Sequence, residues 1–309
     1  MPGRREDIEI AEVDRWCQLH LGSALAQVVL RDGYLSTVLG VRLESGRSTV
    51  VKIRRPAVRL EACATVHRML FERGFPCPEP LVDLEPLGPW AASAEVMVTG
   101  GESFPSGGRA PAPSAQALAR LVSLAPDPAN LPTLEPPLPW TAPCHDPERL
   151  WPWPDDRDID LNALRGPDWL DEAARAARLR LACAEGPAIV GNGDWYTANV
   201  RWVGDRLLVV WDWDSVISAP EPVLAGLAAA VYPATREGTE ATVGETEGFL
   251  DAYGAAGGRT FSPDEMEQAW AAGLWNRSFD AKKQFATDGR PRSLTEEEAA
   301  ERRRRAGPG

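Results

Sequence analysis

The chain has 309 residues, 44% of them hydrophobic, which is enough for a substantial core in one large domain or two lobes. Its formal net charge of −12 argues against a nucleic-acid partner, because phosphate binding needs a basic surface, and it suits a neutral or cationic small molecule better. No apolar run reaches the roughly 18 residues of a membrane span, and the charged start MPGRREDIEI differs from a signal peptide, so we expect a cytoplasmic protein without a membrane partner.

The first hundred residues are predicted to be rich in strands. Residues 7–21 carry apolar side chains at helical spacing. The β-branched runs LAQVVL, STVLGVRL and STVVKI follow, and the turn sequences between them predict an antiparallel meander. A helix is predicted from 57 to 73, ending at Gly74, after which FPCPEPL forces an extended connection. WAASAEVMVTG predicts a further strand that closes at Gly100 and Gly101.

The remaining two thirds are predicted to be mainly helical. Glycine, serine and proline dominate 102–113, which indicates a connector and divides the chain into lobes 1–101 and 102–309. SAQALARLVSL and DWLDEAARAARLRLACA predict helices, whereas the proline- and tryptophan-rich 125–158 predicts an irregular surface excursion. PAIV, VRWV and RLLVV predict short strands, and a last helix is expected to begin at the capping box of Ser262.

This order predicts an α+β fold. A small N-terminal antiparallel β lobe with one helix precedes a larger, mainly helical C-terminal lobe, which is the layout of a two-lobed, protein-kinase-like fold. The basic tail ERRRRAGPG is expected to extend a frayed helix end into solvent.

Polar side chains interrupt the apolar runs in GNGDWYTANVRW and VVWDWD. Phosphoryl transfer needs a carboxylate that accepts the proton of the attacking hydroxyl, and oxygen ligands that hold Mg²⁺ on the nucleotide phosphates. Asp194 and Asn199 stand at the two ends of one loop, and Asp212 follows after two strands joined by a tight turn. Paired strands return to the same edge, so we expect these three side chains to share one small volume. The alternative is that they are a turn residue, a loop cap and a strand end.

Lys52 is a fourth candidate, because the chain has 33 basic residues but only three lysines. Strand alternation in VVKI places Lys52 on the face opposite Val51 and Ile53, where a compact ammonium can meet the α- and β-phosphates. The alternative is an exposed lysine on an edge strand. Glu61, on the following helix, is the candidate ion-pair partner of Lys52, although a solvated glutamate is an equal alternative.

The hairpin RDGYLSTVLG is a candidate phosphate-covering loop. Gly33 and the backbone amides of Ser36 and Thr37 would donate to the phosphates. A single glycine in a hairpin is ordinarily only a turn residue, so this signal is weak by itself.

These motifs resemble those of the aminoglycoside phosphotransferase-like kinases. NGDWYTAN resembles the family's catalytic loop, in which HGD is followed after four residues by N, and VVWDWD resembles the D-W motif that comes two strands later. VVKI is similar to the strand that carries the nucleotide-binding lysine, and GFPCPEPL to the G-x-P-x-P segment after the first-lobe helix. The resemblance runs from about 25 to 285. It implies that Asp194 is the catalytic aspartate, that Asn199 and Asp212 hold the metal, and that Lys52 binds phosphate.

The resemblance also implies a hinge near 97–100, where the backbone of Met97 and Val98 would hold the purine. Asn192 stands where the family generally has histidine, and an asparagine amide can brace the loop in a similar way. Asp214, two residues after the metal aspartate, has three readings: a contact to the metal shell, a contact to a cationic substrate, or a turn cap.

The acceptor is expected to bind in a pocket of the helical lobe. The candidate acceptor-binding residues are Trp195, Asp214, Trp270, Trp275, Arg277 and Asp280. Several of the twelve tryptophans could stack on a flat or sugar-like acceptor, and core packing is the competing interpretation. A thiol nucleophile at Cys144 with His145 as its base is disfavoured, because adjacent residues rarely present both groups to one substrate.

The predicted function is transfer of the γ-phosphate of ATP or GTP, with Mg²⁺, to a hydroxyl of a small molecule. Inactivation of an antibiotic is the best-known activity of the family that the sequence resembles, and kinases of choline, homoserine or a sugar are alternatives within the same class. A catalytically silent nucleotide-binding protein is the competing class, which the presence of a base beside the metal ligands disfavours. The sequence leaves open which acceptor is used, whether ATP or GTP is the donor, and whether the protein is a monomer or a homodimer.

Overall fold

The computed structural model describes residues 8–182, 184, 186–235, 239–257 and 259–308. The predicted first residue of the first helix and the cysteine at 183 lie outside these ranges. The N-terminal part is a five-stranded antiparallel sheet with spatial order β1-β2-β3-β5-β4. Its strands are Leu25–Asp32 (β1), Thr37–Leu43 (β2), Ser48–Arg54 (β3), Pro80–Leu87 (β4) and Trp90–Val96 (β5). Two helices accompany the sheet, Ile10–Leu21 (α1) and Arg59–Glu72 (α2).

Strand β4 differs from the extended connection that its prolines predicted. It pairs with β5 alone and therefore forms an edge of the sheet. Proline lacks a backbone donor and is tolerated on an edge strand, so Pro80 and Pro86 are compatible with this position. Gly74 adopts a positive φ of 75° just after α2, as expected for a residue that ends a helix.

The alternation predicted for β3 is present. Val51 and Ile53 are buried in the core formed with α1, whereas Lys52 lies on the other face. In the sheet register Lys52 stands opposite Val38 of β2 and Ser93 of β5. The lysine therefore emerges from the middle of the sheet, on the face that looks toward the second part of the chain.

The second part of the chain is mainly helical. Its helices are Pro111–Leu124 (α3), Asp168–Ala182 (α4), Glu221–Val231 (α5), Val243–Gly257 (α6), Pro263–Asp288 (α7) and Glu296–Arg305 (α8). Two small antiparallel sheets lie between α4 and α5. They pair Ala188–Asn192 (β6) with Val216–Pro220 (β9), a strand that the sequence did not predict, and Val200–Val203 (β7) with Arg206–Val210 (β8).

The segment between α3 and α4 is irregular, as predicted, and contains only two short 3₁₀ turns among its described residues. The predicted capping box at the start of α7 is also present: Ser262 Oγ accepts from the Glu265 amide at 3.3 Å, and Glu265 Oε2 accepts from the Ser262 amide at 2.8 Å. None of the described helices combines the length and hydrophobicity needed to cross a membrane.

The expectation of a frayed basic tail is wrong. Helix α8 packs against α4 and α7, and Arg302 is completely buried. Its guanidinium donates to the carbonyl of Ala241 at 2.6 Å, contacts Glu298 at 2.8 Å and lies over the ring of Trp270. A buried charge with these partners anchors the helix.

The link between the two parts runs from the end of β5 to α3. Glu102 and Trp202 exchange both backbone hydrogen bonds, at 2.8 and 2.9 Å, so the chain is already attached to the second part at residue 102. Division of the protein into lobes 1–101 and 102–309 stays a prediction that agrees with this contact.

Close packing of α5 on α7 gives a test of the fold. A Cβ atom added at Gly226 would lie 2.0 Å from the carbonyl oxygen of Ala269, which the helix backbone cannot relieve. We expect Gly226→Ala to lower the free energy of unfolding by about 2 kcal/mol or more, as overpacking does. Gly244→Ala in α6, where nothing lies within 4 Å, is the matched control and should cause no decrease. Chemical denaturation measures both, and equal stability of the two variants would contradict this packing.

Candidate active site

Asn192, the last residue of β6, braces the loop that leads to β7. Its side chain is buried, and its Oδ1 accepts a hydrogen bond from the Asp194 amide at 2.7 Å. Its Nδ2 donates to the carbonyl of Asp212 at 3.4 Å. One amide therefore ties the loop of Asp194 to the loop of Asp212, which is the bracing that the sequence predicted for this position.

Asp194 and Asn199 lie side by side in this loop. Asn199 Nδ2 donates to Asp194 Oδ2 and to the Asp194 carbonyl, both at 3.0 Å, so the amide oxygen of Asn199 is the atom left for another ligand. Burial raises the pKa of Asp194 to about 7, and the charge of Asp212 acts in the same direction. A carboxyl with this pKa is suited to accept a proton near neutral pH.

Asp212 follows β8, and strand pairing places it beside Asn199. Val210 stands opposite Val200, and the Trp211 amide donates to the Asn199 carbonyl at 2.8 Å. Asp212 has φ 60° and ψ 64°, and among the described residues it is the only non-glycine with a positive φ. This conformation costs on the order of 1 kcal/mol, so the surrounding hydrogen bonds must hold it in place.

Lys52 connects the sheet to this site. Its Nζ donates to Asp212 Oδ1 and lies 2.9 Å from Asp214 Oδ2, which also lies 3.0 Å from Arg54 Nε. Burial disfavours the ammonium, but the two carboxylates outweigh it and raise the pKa of Lys52 above its usual range. Burial likewise opposes ionisation of Asp214, and the Lys52 and Arg54 charges outweigh it, which lowers the pKa of Asp214.

The structure therefore brings together Asp194, Asn199, Asp212 and Lys52. Asp214 joins them on the side of the N-terminal sheet, because its carboxylate is held by Lys52 and Arg54. It is not placed to contact an acceptor in the helical part, so that reading of Asp214 is wrong.

The pairing of Glu61 with Lys52 is also wrong. Glu61 is exposed, and the buried face of α2 instead carries Cys63 and His67. The first turn of this helix is anchored by Arg59, whose guanidinium donates to the carbonyls of Asp214 at 2.9 Å and Val216 at 2.6 Å. Helix α2 thus contacts the loop after Asp212 through an arginine side chain that binds carbonyl groups of the loop, and not through a glutamate.

Most residues expected to line the acceptor pocket are core residues. The side chains that are almost fully enclosed are Trp195, Trp270, Trp275 and Arg277. The indole of Trp195 donates to Ser114 Oγ, and Trp275 stacks on Trp151. The guanidinium of Arg277 donates to the carbonyl of Ala241 at 2.8 Å. These four predictions are wrong. Trp270, Trp275 and Arg277 lie on α7, which is buried on most of its circumference and uses its large side chains for packing, and Trp195 is enclosed by its contact with α3.

Asp280 is the exception, because it remains partly exposed near Asp194. It pairs with Lys283 at 3.1 Å, and Lys283 lies 3.5 Å from Asp156 of the irregular segment. Burial and Asp212 have the largest effects on the raised pKa of Asp194. The Asp280 charge raises this pKa further and the Lys283 charge lowers it, so Asp280 and Lys283 both lie within electrostatic reach of the Asp194 carboxyl. Sequence reasoning missed Lys283, although the rarity of lysine that singled out Lys52 applies to it equally.

The hairpin between β1 and β2 forms a tight turn. Gly33 has φ 114°, and a Cβ there would lie 2.0 Å from the Ser36 carbonyl oxygen, so only glycine fits. Ser36 and Thr37 are half-buried at the start of β2, and Met97 and Val98 are half-buried just after β5. Their roles toward phosphates and purine stay predictions.

Glu95 on β5 is a second residue that the sequence interpretation missed. Its Oε2 lies 3.9 Å from His67 Nδ1. Burial raises the pKa of Glu95 to about 7, while the nearby Lys52 ammonium opposes this rise. Alternation along β5 was the available signal, since Glu95 shares the face of Ser93, the residue opposite Lys52.

The donor set fits Mg²⁺. Asp212 offers a carboxylate and Asn199 an amide oxygen, both hard ligands. Over the described residues, no three His, Cys, Asp or Glu side chains are grouped so that they could hold a metal by themselves. Mg²⁺ usually takes one or two carboxylates and completes its shell with phosphates and water, so these residues suit a metal that arrives with a nucleotide.

A lysine on a small antiparallel lobe faces the loop of Asp194 and Asn199 on the helical lobe, which is the arrangement of protein-kinase-like phosphotransferases. The chain is a phosphotransferase enzyme. It belongs to the family described as the phosphotransferase enzyme family (APH), whose model matches residues 27–269. A sequence comparison with curated proteins finds no match.

Three solved structures of similar fold are phosphotransferases or kinases of low sequence identity to this chain. An aminoglycoside phosphotransferase APH(4)-Ia variant, in a ternary complex with ADP and hygromycin B, is 13% identical with a TM-score of 0.58, over 96% of both chains. The amicoumacin kinase hAmiN, in complex with AMP-PNP, Ca²⁺ and Ami, is 13% identical with a TM-score of 0.60, over 96% of this chain and 93% of that one. Spectinomycin phosphotransferase APH(9)-Ia, in complex with ADP and spectinomycin, is 12% identical with a TM-score of 0.59, over 97% and 94%.

The anchoring of α2 by Arg59 is testable without a substrate. Arg59→Met removes a buried guanidinium from the carbonyls of Asp214 and Val216, so we expect the free energy of unfolding to fall by about 2 to 3 kcal/mol. Arg120→Met removes an exposed arginine that donates to a single carbonyl, at Gly74, and should change stability by less than about 0.5 kcal/mol. If urea denaturation shows equal losses for the two variants, Arg59 does not have this anchoring role.

Proposed function

We propose that this protein transfers the γ-phosphate of ATP or GTP to a hydroxyl group of a small molecule. The observation that carries the proposal is the contact of Lys52, from the N-terminal sheet, with Asp212, next to the hydrogen-bonded pair of Asp194 and Asn199. A cation, a base and two oxygen ligands in one cleft are the groups that this reaction needs. In this proposal residues 1–101 bind the nucleotide and 102–309 carry the catalytic loop and the acceptor.

Asp194 is proposed to be the base. Its carboxyl is positioned by the Asn199 amide and its backbone by Asn192, so it can accept the proton of a hydroxyl held in front of it. Asn199 and Asp212 would hold Mg²⁺, which when bound neutralises charge on the phosphates. Lys52 provides a second positive charge on the opposite side of the cleft, and the hairpin of Gly33 would cover the phosphates.

The acceptor is proposed to be a small hydroxylated molecule that carries a cationic group. Asp280 is partly exposed and lies within electrostatic reach of Asp194, so its carboxylate can meet a cationic group there; Lys283 pairs with it at 3.1 Å, and Asp156 pairs with both Lys283 and Arg157. The net charge of −12 favours cations more generally. Structures of similar fold contain hygromycin B, amicoumacin or spectinomycin together with a nucleotide, which supports inactivation of an antibiotic as the proposed role.

The role of Asp194 predicts a separation of binding from turnover. Asp194→Ala removes the proton acceptor, so phosphate transfer to the best acceptor found in a panel of hydroxylated antibiotics and metabolites should fall at least about 100-fold. Binding of ADP with Mg²⁺, measured by calorimetry, should be little changed because Asp194 is not one of the proposed metal ligands. Turnover equal to that of the wild type would remove Asp194 from its role.

The role of Asp212 predicts a loss of metal-dependent binding. Asp212→Ala should weaken Mg²⁺-ADP binding about tenfold or more, because the metal loses its carboxylate. Asp251→Ala, an exposed aspartate on α6, is the control and should leave the affinity unaltered. Calorimetric titration measures both variants, and an unchanged affinity of the Asp212 variant contradicts metal ligation.

A further inference from the structure

One of the two carboxylates that bind Lys52 is also a proposed ligand of the metal. Lys52 Nζ contacts Asp212 and Asp214, and Asp214 is shared with Arg54. In the proposed function Mg²⁺ takes Asp212 as a ligand. A carboxylate that turns toward a divalent ion is a weaker partner for an ammonium, so Lys52 would keep only Asp214, which Arg54 also holds, and a further anion would help to fix it while it binds phosphate.

Helix α2 does not supply that anion. Its two acidic residues, Glu61 and Glu72, are both exposed. Its buried face is fixed to the neighbouring loop by Arg59 and by His67, whose ring stacks on Trp213 at a centroid distance of 5.3 Å. Rotation of the helix to bring Glu61 inward would break these contacts.

Strand β5 places Glu95 in a suitable position. Ser93 stands opposite Lys52 and Glu95 opposite Val50, so Glu95 and Lys52 are diagonal neighbours on one face of the sheet. Long side chains at such positions are within reach of each other. The Glu95 side chain is only 22% exposed, which confines its carboxylate to the cleft.

His67 does not neutralise Glu95. Its Nε2 is bonded to the carbonyl of Pro78 at 2.9 Å, so this nitrogen carries the proton, and its Nδ1 faces the Glu95 carboxylate at 3.9 Å. Burial lowers the pKa of His67 to about 4, so the ring is neutral at physiological pH. Of the two nearby cations, Lys52 acts on Glu95 more strongly than Arg54, which is held by Asp214 and by Ser93 Oγ.

We propose that Glu95 is a positioning residue that holds Lys52 when Mg²⁺ and nucleotide engage Asp212. This inference rests on the proposed function. It assigns to a glutamate of β5 the task that the sequence interpretation gave to Glu61. In the protein without nucleotide, Lys52 is bound by Asp212 and Asp214; after the metal takes Asp212, Glu95 joins Asp214 as a partner of Lys52.

The test is ADP binding with and without Mg²⁺, measured by calorimetry on the full chain. Glu95→Gln should weaken Mg²⁺-ADP binding about tenfold, because Lys52 would then keep only Asp214, which it shares with Arg54, in the metal-bound state. Binding of ADP without Mg²⁺ should change less than about twofold, because Asp212 and Asp214 still hold Lys52. Glu61→Gln, the matched exposed glutamate, should change neither affinity.

Three results would overturn the inference. Equal weakening with and without Mg²⁺ would show general damage to the site and overturn it, as would an unchanged Mg²⁺-ADP affinity. Glu95→Asp keeps the charge and should bind Mg²⁺-ADP better than Glu95→Gln; equal binding by the two also overturns it. Glu95→Met replaces the glutamine variant in every arm if thermal denaturation shows that the latter is unfolded. Failure of the wild-type protein to bind any nucleotide would instead refute the proposed function itself.

Discussion

The ion pair between Lys52 and Asp212 is the interaction on which the site depends, because it joins the two parts of the molecule by charge next to Asp194 and Asn199, beside the contacts of Asp214 with Lys52 and Arg54. Strand alternation turns Lys52 away from the core of the sheet, and the pairing of β7 with β8 returns Asp212 to the side of Asn199. The left-handed backbone of Asp212 shows that this placement is maintained against a local conformational preference. Hydrogen bonds from neighbouring loops supply the compensation, and a cleft that holds opposite charges results.

Helix α2 makes the same junction rigid. In addition to the charge contact, the molecule has Arg59 bonded to the backbone after Asp212 and the neutral ring of His67 stacked on Trp213. These contacts join the small lobe to backbone carbonyls and an aromatic ring of the second lobe, and none of them uses a group that is proposed to bind the metal. If Lys52 exchanges partners on metal binding as proposed, it would do so beside contacts of α2 that need not change.

The sequence predicted the site better than its surroundings, for a physical reason. Strand alternation, the return of paired strands and the chemistry of phosphate transfer are local or nearly local rules, and they were sufficient for Lys52, Asp194, Asn199 and Asp212 to be expected in one place. The orientation of Glu61 depends on which face of α2 packs, and the burial of Trp275 depends on how many neighbours surround α7. Those are properties of the assembled core, and one sequence does not display them. The burial of Arg302 shows the same limit, because a run of arginines is typical of a solvent-exposed helix until carbonyl groups are found to meet it.

Helix α7 performs two tasks along its length, and their separation has an evolutionary consequence. Its central turns are immersed in the core, so most substitutions there are costly. Asp280 and Lys283 are one turn apart on a single partly exposed stripe that borders the catalytic loop, whereas Phe279, Ala281 and Lys282 between and beside them are buried. If the acceptor binds beside Asp194 as proposed, mutations on that stripe would change charge and size next to it while the core positions of the helix stay the same. Under the proposed function, substitutions at these two positions alone could change which acceptor is bound, while the buried residues of α7 would remain under selection for stability.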